Sequence, residues 1–358
     1  MPKVPPPTDT RRDRLWAAAE ARGIPLRAIL VAVAVVVAVA AVLVARLAGG
    51  GSPAHPAAAG QASGSGVAPA PVESLIPSAG AYLGAYVQPT RYSQQGQIDA
   101  FLSFEHELGH PLEIVHVYHP WGTVFPTPED RYFVRNGKIL LLTWGGDPNT
   151  KAIIAGRDDA MIRARAEGLK ALGHPIMLEF RHEMDRPNLR WTIHGPADYI
   201  AAWDHIRSIF SAVGATNVSW VWCPTGYGFQ VGRAQAFYPG GREVNWVCAD
   251  VYASSASQSL SEAAGPFLRW ASHHDKPVII GEFAAGGNSR DWAAWLTAAG
   301  QLAKTDRQIK AMAYFDGNGT DSNGNAFRYS LGDQPAAMSA FSRLLSQRYF
   351  QPAVPNDP

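Results

Sequence analysis

At 358 residues, 47% of them hydrophobic, the chain is long enough for one large domain or two small ones. Its 31 basic and 30 acidic residues cancel to a net charge of +1, so no basic stripe invites nucleic acid or an anionic surface. Nucleic-acid binding is therefore excluded as the expected role.

The first 75 residues divide by composition. Residues 1–27 carry Lys3, Arg11, Arg12, Arg14, Arg22 and Arg27 and read as a cytoplasmic tail. From Ala28 to Ala45 no side chain is polar or charged, and Leu47 and Ala48 extend the run past Arg46, so 28–48 is expected to be a transmembrane signal anchor. The positive flank keeps the N-terminus inside and places the bulk of the chain outside the cytoplasm. A cleaved signal peptide with a secreted product is the competing reading. Residues 49–75 are Ala, Gly, Pro and Ser with almost no large apolar side chain, the composition of a disordered stalk.

From 76 to 352 strand-like and helix-like runs alternate. Tyr82–Val87 is predicted as the first strand, and Ser93 caps a helix striped by Ile98, Phe101, Leu102 and Leu108 that Gly109 ends. Leu112–His119 is the second strand, followed by a long loop rich in Pro, Gly and aromatics. Lys138–Trp144 is the third, and Met161, Ile162, Leu169 and Leu172 stripe the helix after it. The fourth is PIMLEFRHE, 175–183, whose following helix opens at Pro196. Val218–Cys223, Asn245–Tyr252, Pro277–Phe283 and Ile309–Phe315 complete eight. Near-continuous apolar strands separated by amphipathic helices call for a parallel sheet buried on both faces. Eight such units predict an α/β fold of the closed (β/α)8, TIM-barrel kind, with its active site at the C-terminal strand ends.

Two glutamates fall at such ends: Glu183 in LEFRHEMD and Glu282 in VIIGEF. They lie about 100 residues apart, three strand-plus-helix units of roughly 30 residues each. A glutamate has no packing reason to end a buried strand. Two of them facing one cleft can protonate a glycosidic oxygen and attack the sugar carbon.

H-E-M ending the fourth strand, W-V-W-C-P at the fifth, D-V-Y at the sixth and G-E-F at the seventh resemble family 26 glycoside hydrolases, the β-mannanase family of the large retaining barrel clan. The resemblance implies Glu183 as general acid/base, His182 beside it as a substrate partner, Glu282 as nucleophile and Tyr252 as the phenol that orients it. It also implies a polysaccharide or oligosaccharide substrate, β-mannan or a related β-glycan, with no metal and no organic cofactor. Departures lie after the fourth strand. Mannanases of the family tend to carry an arginine shortly before His-Glu and a Gly/Asn-x-Trp-aromatic cluster after it. Here Glu179 occupies the arginine position, Arg181 is its nearest substitute, and the loop M-D-R-P-N-L-R-W keeps only Trp191. β-1,3 or mixed-linkage glucan, xylan and the cell's own exopolysaccharide are thus rival substrates, and a barrel that binds glycan without cleaving it is a further alternative.

Acid/base work requires a protonated Glu183 in apolar or anionic surroundings, and nucleophilic work an ionised Glu282 supplied with donors. His116, His119, Trp121, Trp144, Trp222, Tyr227 and Phe315 stand at or near strand ends, where sugar subsites need flat faces and hydroxyl partners. His106-Glu107-Leu108-Gly109-His110 matches the H-E-x-x-H zinc-peptidase helix, a remote alternative, but Gly109 and Pro111 should take His110 off the helical face. DGNGTDSNGN, 316–325, has calcium-loop composition without the closing glutamate, and turn chemistry is the expectation. Cys223 and Cys248 lie on neighbouring strands, where a bridge depends on register.

Overall fold

The structure, a computed structural model, describes residues 75–286, 289–320 and 324–354. The apolar segment 28–48 and nearly all of the stalk lie outside the described residues, as do 321–323 of the calcium-like loop. Among the described residues no helix is long and apolar enough to cross a membrane. The chain divides into two compact units, of which Ala68–Gly319 with Ala326–Pro358 holds the barrel. Of the smaller unit, Met1–Val67 with Thr320–Asn325, the described residues are Thr320, Gly324 and Asn325, all exposed.

Eight strands close in sequence order: β1 (Tyr82–Val87), β2 (Ile114–Pro120), β3 (Ile139–Gly145), β4 (Ile176–Phe180), β5 (Val218–Trp222), β6 (Trp246–Ala253), β7 (Val278–Ala285) and β8 (Ile309–Asp316). All pair in parallel, and β1 closes on β8 in a run from Tyr82 opposite Ala311 to Val87 opposite Asp316. Each strand sends alternate side chains to opposite faces. Tyr82, Ile114, Leu141, Met177, Val221 and Ile279 fill the lower barrel interior, while their neighbours join the larger core beneath the helices. Leu75 already packs into that interior column.

The helices begin and end where local chemistry allows. Ser93 accepts from the Gly96 amide to open Gln94–Leu108, and Gly109, at φ 70°, stops it. His110 therefore leaves the helical face, and the H-E-x-x-H segment does not present two histidines one turn apart. The loop after β2 holds an unpredicted helix, Pro128–Arg135, fixed by a capping box between Thr127 and Asp130 with Pro128 at its first turn. The signal was legible as T-P-E-D, hidden among aromatics.

Two departures from regular alternation set the mouth. β4 ends at Phe180, three residues before its predicted end, because Arg181 and Glu183 adopt left-handed backbone at φ 49° and 51°. Such a conformation is costly for side chains with a Cβ and holds only where surrounding contacts enforce it. Here the Arg181 amide donates to the Trp144 carbonyl at 2.9 Å and the Glu183 amide to the Cys223 carbonyl at 2.7 Å. The second departure lies on β7. Register with β6 slips between Ala249 and Asp250, so Asp250 sits opposite Glu282. Ile280 packs outward and Phe283 packs outward, leaving Gly281 and Glu282 both turned to the interior.

Gly281 is what that bulge requires. A Cβ there would stand 2.6 Å from Cys248 Sγ, 2.7 Å from Asp250 Oδ1 and 2.9 Å from Cys223 Sγ. Cys223 and Cys248 are bridged across β5 and β6, directly beneath the mouth. Gly281→Ala is expected to lower stability by about 1–3 kcal/mol, the range for overpacking a filled interior. Thermal unfolding measures it, and an unchanged melting temperature would refute this account of the bulge.

Candidate active site

Glu282 is buried at the C-terminal end of β7. Tyr118 donates its hydroxyl to Glu282 Oε1 at 2.5 Å, and Tyr252 donates to Oε2. Both phenols are pushed well above the ordinary tyrosine range by burial and by the charge of Glu282, so both remain donors. Burial, followed by the nearby charge of Glu183, raises the Glu282 carboxyl to about 7, against the lowering influence of His116 and the two phenols. The donors that the nucleophile role requires are present, and desolvation works against them.

Glu183 follows β4 in the left-handed turn and is only partly buried. Arg186 Nη1 donates to its Oε2 at 2.6 Å, so the apolar or anionic surroundings expected around Glu183 are corrected: its nearest charged partner is a cation. The charge of Glu183 acts on Glu282, and both residues stand at C-terminal strand ends of the same barrel. His182 places Nε2 3.9 Å from Glu282 Oε1 and leans on the Tyr118 ring, with centroids 5.5 Å apart. Burial and the charges of Arg181, His116 and Arg186 hold it well below the usual histidine range, so it is neutral.

Below this pair lies a column of buried polar groups. His116 shares a hydrogen bond with Thr143 Oγ1 at 2.8 Å and stacks under Tyr118, and Thr143 donates to Glu179 at 2.5 Å. Asp250, beside Glu282, is held well above the carboxylate range by burial and by the charges of Glu282 and Glu179. Among the described residues, His182, Asp250 and Glu282 bring ligand atoms close enough to hold a cation, as do Glu179, Cys223 and Cys248. The second set is committed to a disulfide. In the first, both Glu282 oxygens already accept from phenols.

The other predicted site residues separate by face. Tyr252 and Phe315 stand at the mouth; Phe315 stacks on Tyr86 at 4.9 Å and meets Tyr252 edge-on at 6.0 Å. Trp191, 74% exposed with the Arg190 guanidinium over its ring, and Tyr227, 63% exposed with Arg233 over its ring, are open platforms after β4 and β5. Arg181 is buried, and its Nη1 donates to the His182 carbonyl at 3.0 Å, so it acts on the turn.

Four expectations are corrected. His119 points outward and pairs with Asp130 at 2.9 Å, bracing the helix Pro128–Arg135. Trp144 is fully buried, stacked on Trp121 at 4.1 Å and donating to its carbonyl. Trp222 is equally buried among Phe229, Tyr238 and Trp270. His116, inside the barrel, is sealed beneath Tyr118 and supports it. Trp121 is half-buried, with Nε1 donating to Asp158 at 3.2 Å. Sequence reasoning missed Tyr118, Asp250 and Arg186. Strict period-2 counting on β2 from inward Ile114 passes through His116 to Tyr118, which would have found the first.

The architecture is a closed (β/α)8 barrel with a glutamate at the C-terminal ends of β4 and β7, the face at which such barrels carry their sites. No family model matches it. A curated relative, Endoglucanase H of Acetivibrio thermocellus, is 31% identical over 292 residues, covering 75% of the chain; the chain spans 31% of that relative's length. A GH26 β-mannanase from Bacteroides ovatus superposes with a TM-score of 0.56 at 13% identity, covering 78% of this chain and 92% of that one. The catalytic domain of the Bacillus sp. JAMB-750 GH26 endo-β-1,4-mannanase gives 0.57 at 15% identity, covering 78% and 90%. The chain shares the fold of these enzymes.

If Glu282 must be ionised to act, activity should rise through pH 7 on its acid side. A donor to the charged form lowers a carboxyl's pKa, so Tyr118→Phe and Tyr252→Phe should each move that acid limb upward, by about one unit. The pH dependence of kcat/KM tests this. An acid limb that stays put in both variants would show that Glu282 does not govern it.

Proposed function

We propose that the chain is a retaining glycoside hydrolase of the family 26 kind that cleaves β-linked polysaccharide internally. The arrangement of Glu282 carries the reading: a buried carboxylate gripped by two phenols at the mouth of a (β/α)8 barrel in which Glu183 follows the strand three units earlier. A carboxylate so placed attacks the anomeric carbon while Glu183 gives its proton to the departing glycosidic oxygen. Water, deprotonated by Glu183, then attacks the glycosyl ester and restores Glu282 with net retention.

Tyr252 and Tyr118 hold the nucleophile's oxygens in place, and neutral His182, 3.9 Å from Glu282, is a hydrogen-bonding partner for the sugar. The open rings of Trp191 and Tyr227 suit sugar faces. Among β-glycans, β-glucan is the first substrate to test, because the relative of 31% identity is called an endoglucanase while the mannanase likeness is one of fold. β-Mannan is the second. The apolar run 28–48, with its basic flank, supports an enzyme anchored in the membrane and facing outward, where polymers emerging at the cell surface would meet it.

The test is reducing-sugar release from mixed-linkage β-glucan, β-mannan, β-xylan and cell-surface polysaccharide by the chain from Ala68 onward, which keeps Leu75 and the C-terminal residues that pack on the interior. Glu282→Ala should abolish product. Glu183→Ala should reduce turnover of polysaccharide by at least about a hundredfold, the scale of lost acid–base catalysis; on a dinitrophenyl β-glycoside, whose leaving group needs no proton, added azide should speed the variant by taking the glycosyl group from Glu282 as a glycosyl azide of retained configuration. Binding without product from the parent would turn the reading towards a glycan-binding barrel. Product of inverted configuration would overturn the double displacement.

A further inference from the structure

Arg186 sits where the motif comparison finds its main departure, in the loop that follows His182-Glu183. Its Nη1 lies 2.6 Å from Glu183 Oε2, and its side chain is one-third exposed beside a Glu183 that is mostly covered. It is also rigidly mounted. The Arg186 amide donates to the Glu183 carbonyl at 3.1 Å, closing the turn, and Pro187 fixes the backbone on the other side. Its neighbour Asp185 is buried and accepts from the Thr225 amide at 2.8 Å, the Thr225 hydroxyl at 2.7 Å and Arg233 at 3.3 Å. The loops after β4 and β5 are therefore pinned to one another at the point from which Arg186 projects.

Geometry then places the guanidinium relative to substrate. An acid/base carboxyl must come within hydrogen-bond reach, about 2.6–3.2 Å, of the oxygen it protonates. A group in contact with that carboxyl stands within one sugar ring of the scissile bond. The protonated oxygen leaves with the departing sugar, so the leaving-side ring is one of the two within that reach. Trp191 and Tyr227, the two open aromatic faces, lie on the same pair of loops. A guanidinium offers five donors in a planar fork, suited to adjacent hydroxyls.

Resting on the hydrolase reading above, we infer that Arg186 is a specificity-determining residue: it positions the Glu183 carboxyl and binds hydroxyls of the departing sugar. It acts on the leaving group and not on the sugar that Glu282 attacks.

The experiment compares Arg186→Ala and Arg186→Lys with the parent on two substrates of the same glycone. One is the polysaccharide the parent cleaves, mixed-linkage β-glucan or β-mannan; the other is the matching dinitrophenyl β-glycoside, whose leaving group needs no proton and presents no sugar to that subsite. The expected result is a selective loss. For Arg186→Ala, kcat/KM on polysaccharide falls at least about tenfold further than on the aryl glycoside, the scale of a lost hydrogen bond to a charged group. Arg186→Lys recovers part of that loss. Equal losses on both substrates, or none on either, would overturn the assignment, and thermal unfolding of each variant separates misfolding from a specific effect. A parent that cleaves neither substrate would remove the hydrolase reading itself, an outcome distinct from equal losses in the variants.

Discussion

A carboxylate held inside a barrel is the constraint on which the rest of this structure turns. Alternation along β7 from outward Ile280 would aim Glu282 at the helices as well. The one-residue slip against β6 reverses that and delivers the carboxylate to the interior opposite Asp250. The slip leaves two successive residues facing inward, and only a glycine leaves room for the first, because bridged Cys223 and Cys248 occupy the space a Cβ would take. Disulfide, bulge and glutamate are one device spread over three strands.

Burying such a group is expensive, and the surroundings show how the cost is met. Two phenols donate to Glu282, yet its carboxyl still rises to about 7. Its neighbours carry little charge: burial and Glu282 drive Asp250 towards its neutral acid, while burial and nearby Arg181, His116 and Arg186 drive His182 towards its neutral imidazole. A site in which one carboxylate ionises at the expense of others keeps its charge where chemistry can use it. Glu183 has the opposite situation, nearer the surface and paired with an arginine three residues on.

Two glutamates with different environments also give the mouth a direction. On the β7 side the walls are Tyr252, Phe315 and Tyr86, packed edge and face against one another. On the β4 and β5 side the aromatic rings stand open, each with a guanidinium over it. A closed aromatic wall grips one ring tightly, whereas open platforms suit successive units of a chain passing by. That asymmetry fits cleavage within a polymer.

Much of this was legible in the chain itself. The eight strands, the caps at Ser93 and Gly109 and the two glutamates rest on local pattern: apolar runs, turn residues, and carboxylates with no packing reason to be where they are. Those features depend on neighbours in sequence, which a linear reading contains. Which face a residue takes depends on register. His119, Trp144 and Trp222 stand at strand ends as expected, but point into the helix layer, while Tyr118, one residue before His119, reaches Glu282 from across the barrel. The bulge at Gly281, the left-handed turn that presents Glu183 and the bridge between Cys223 and Cys248 exist only because strands distant in sequence meet at a fixed offset. The sequence by itself determined the barrel and the chemistry it could hold; the closed sheet decided which side chains share its interior, because a shift of one residue exchanges inside for outside.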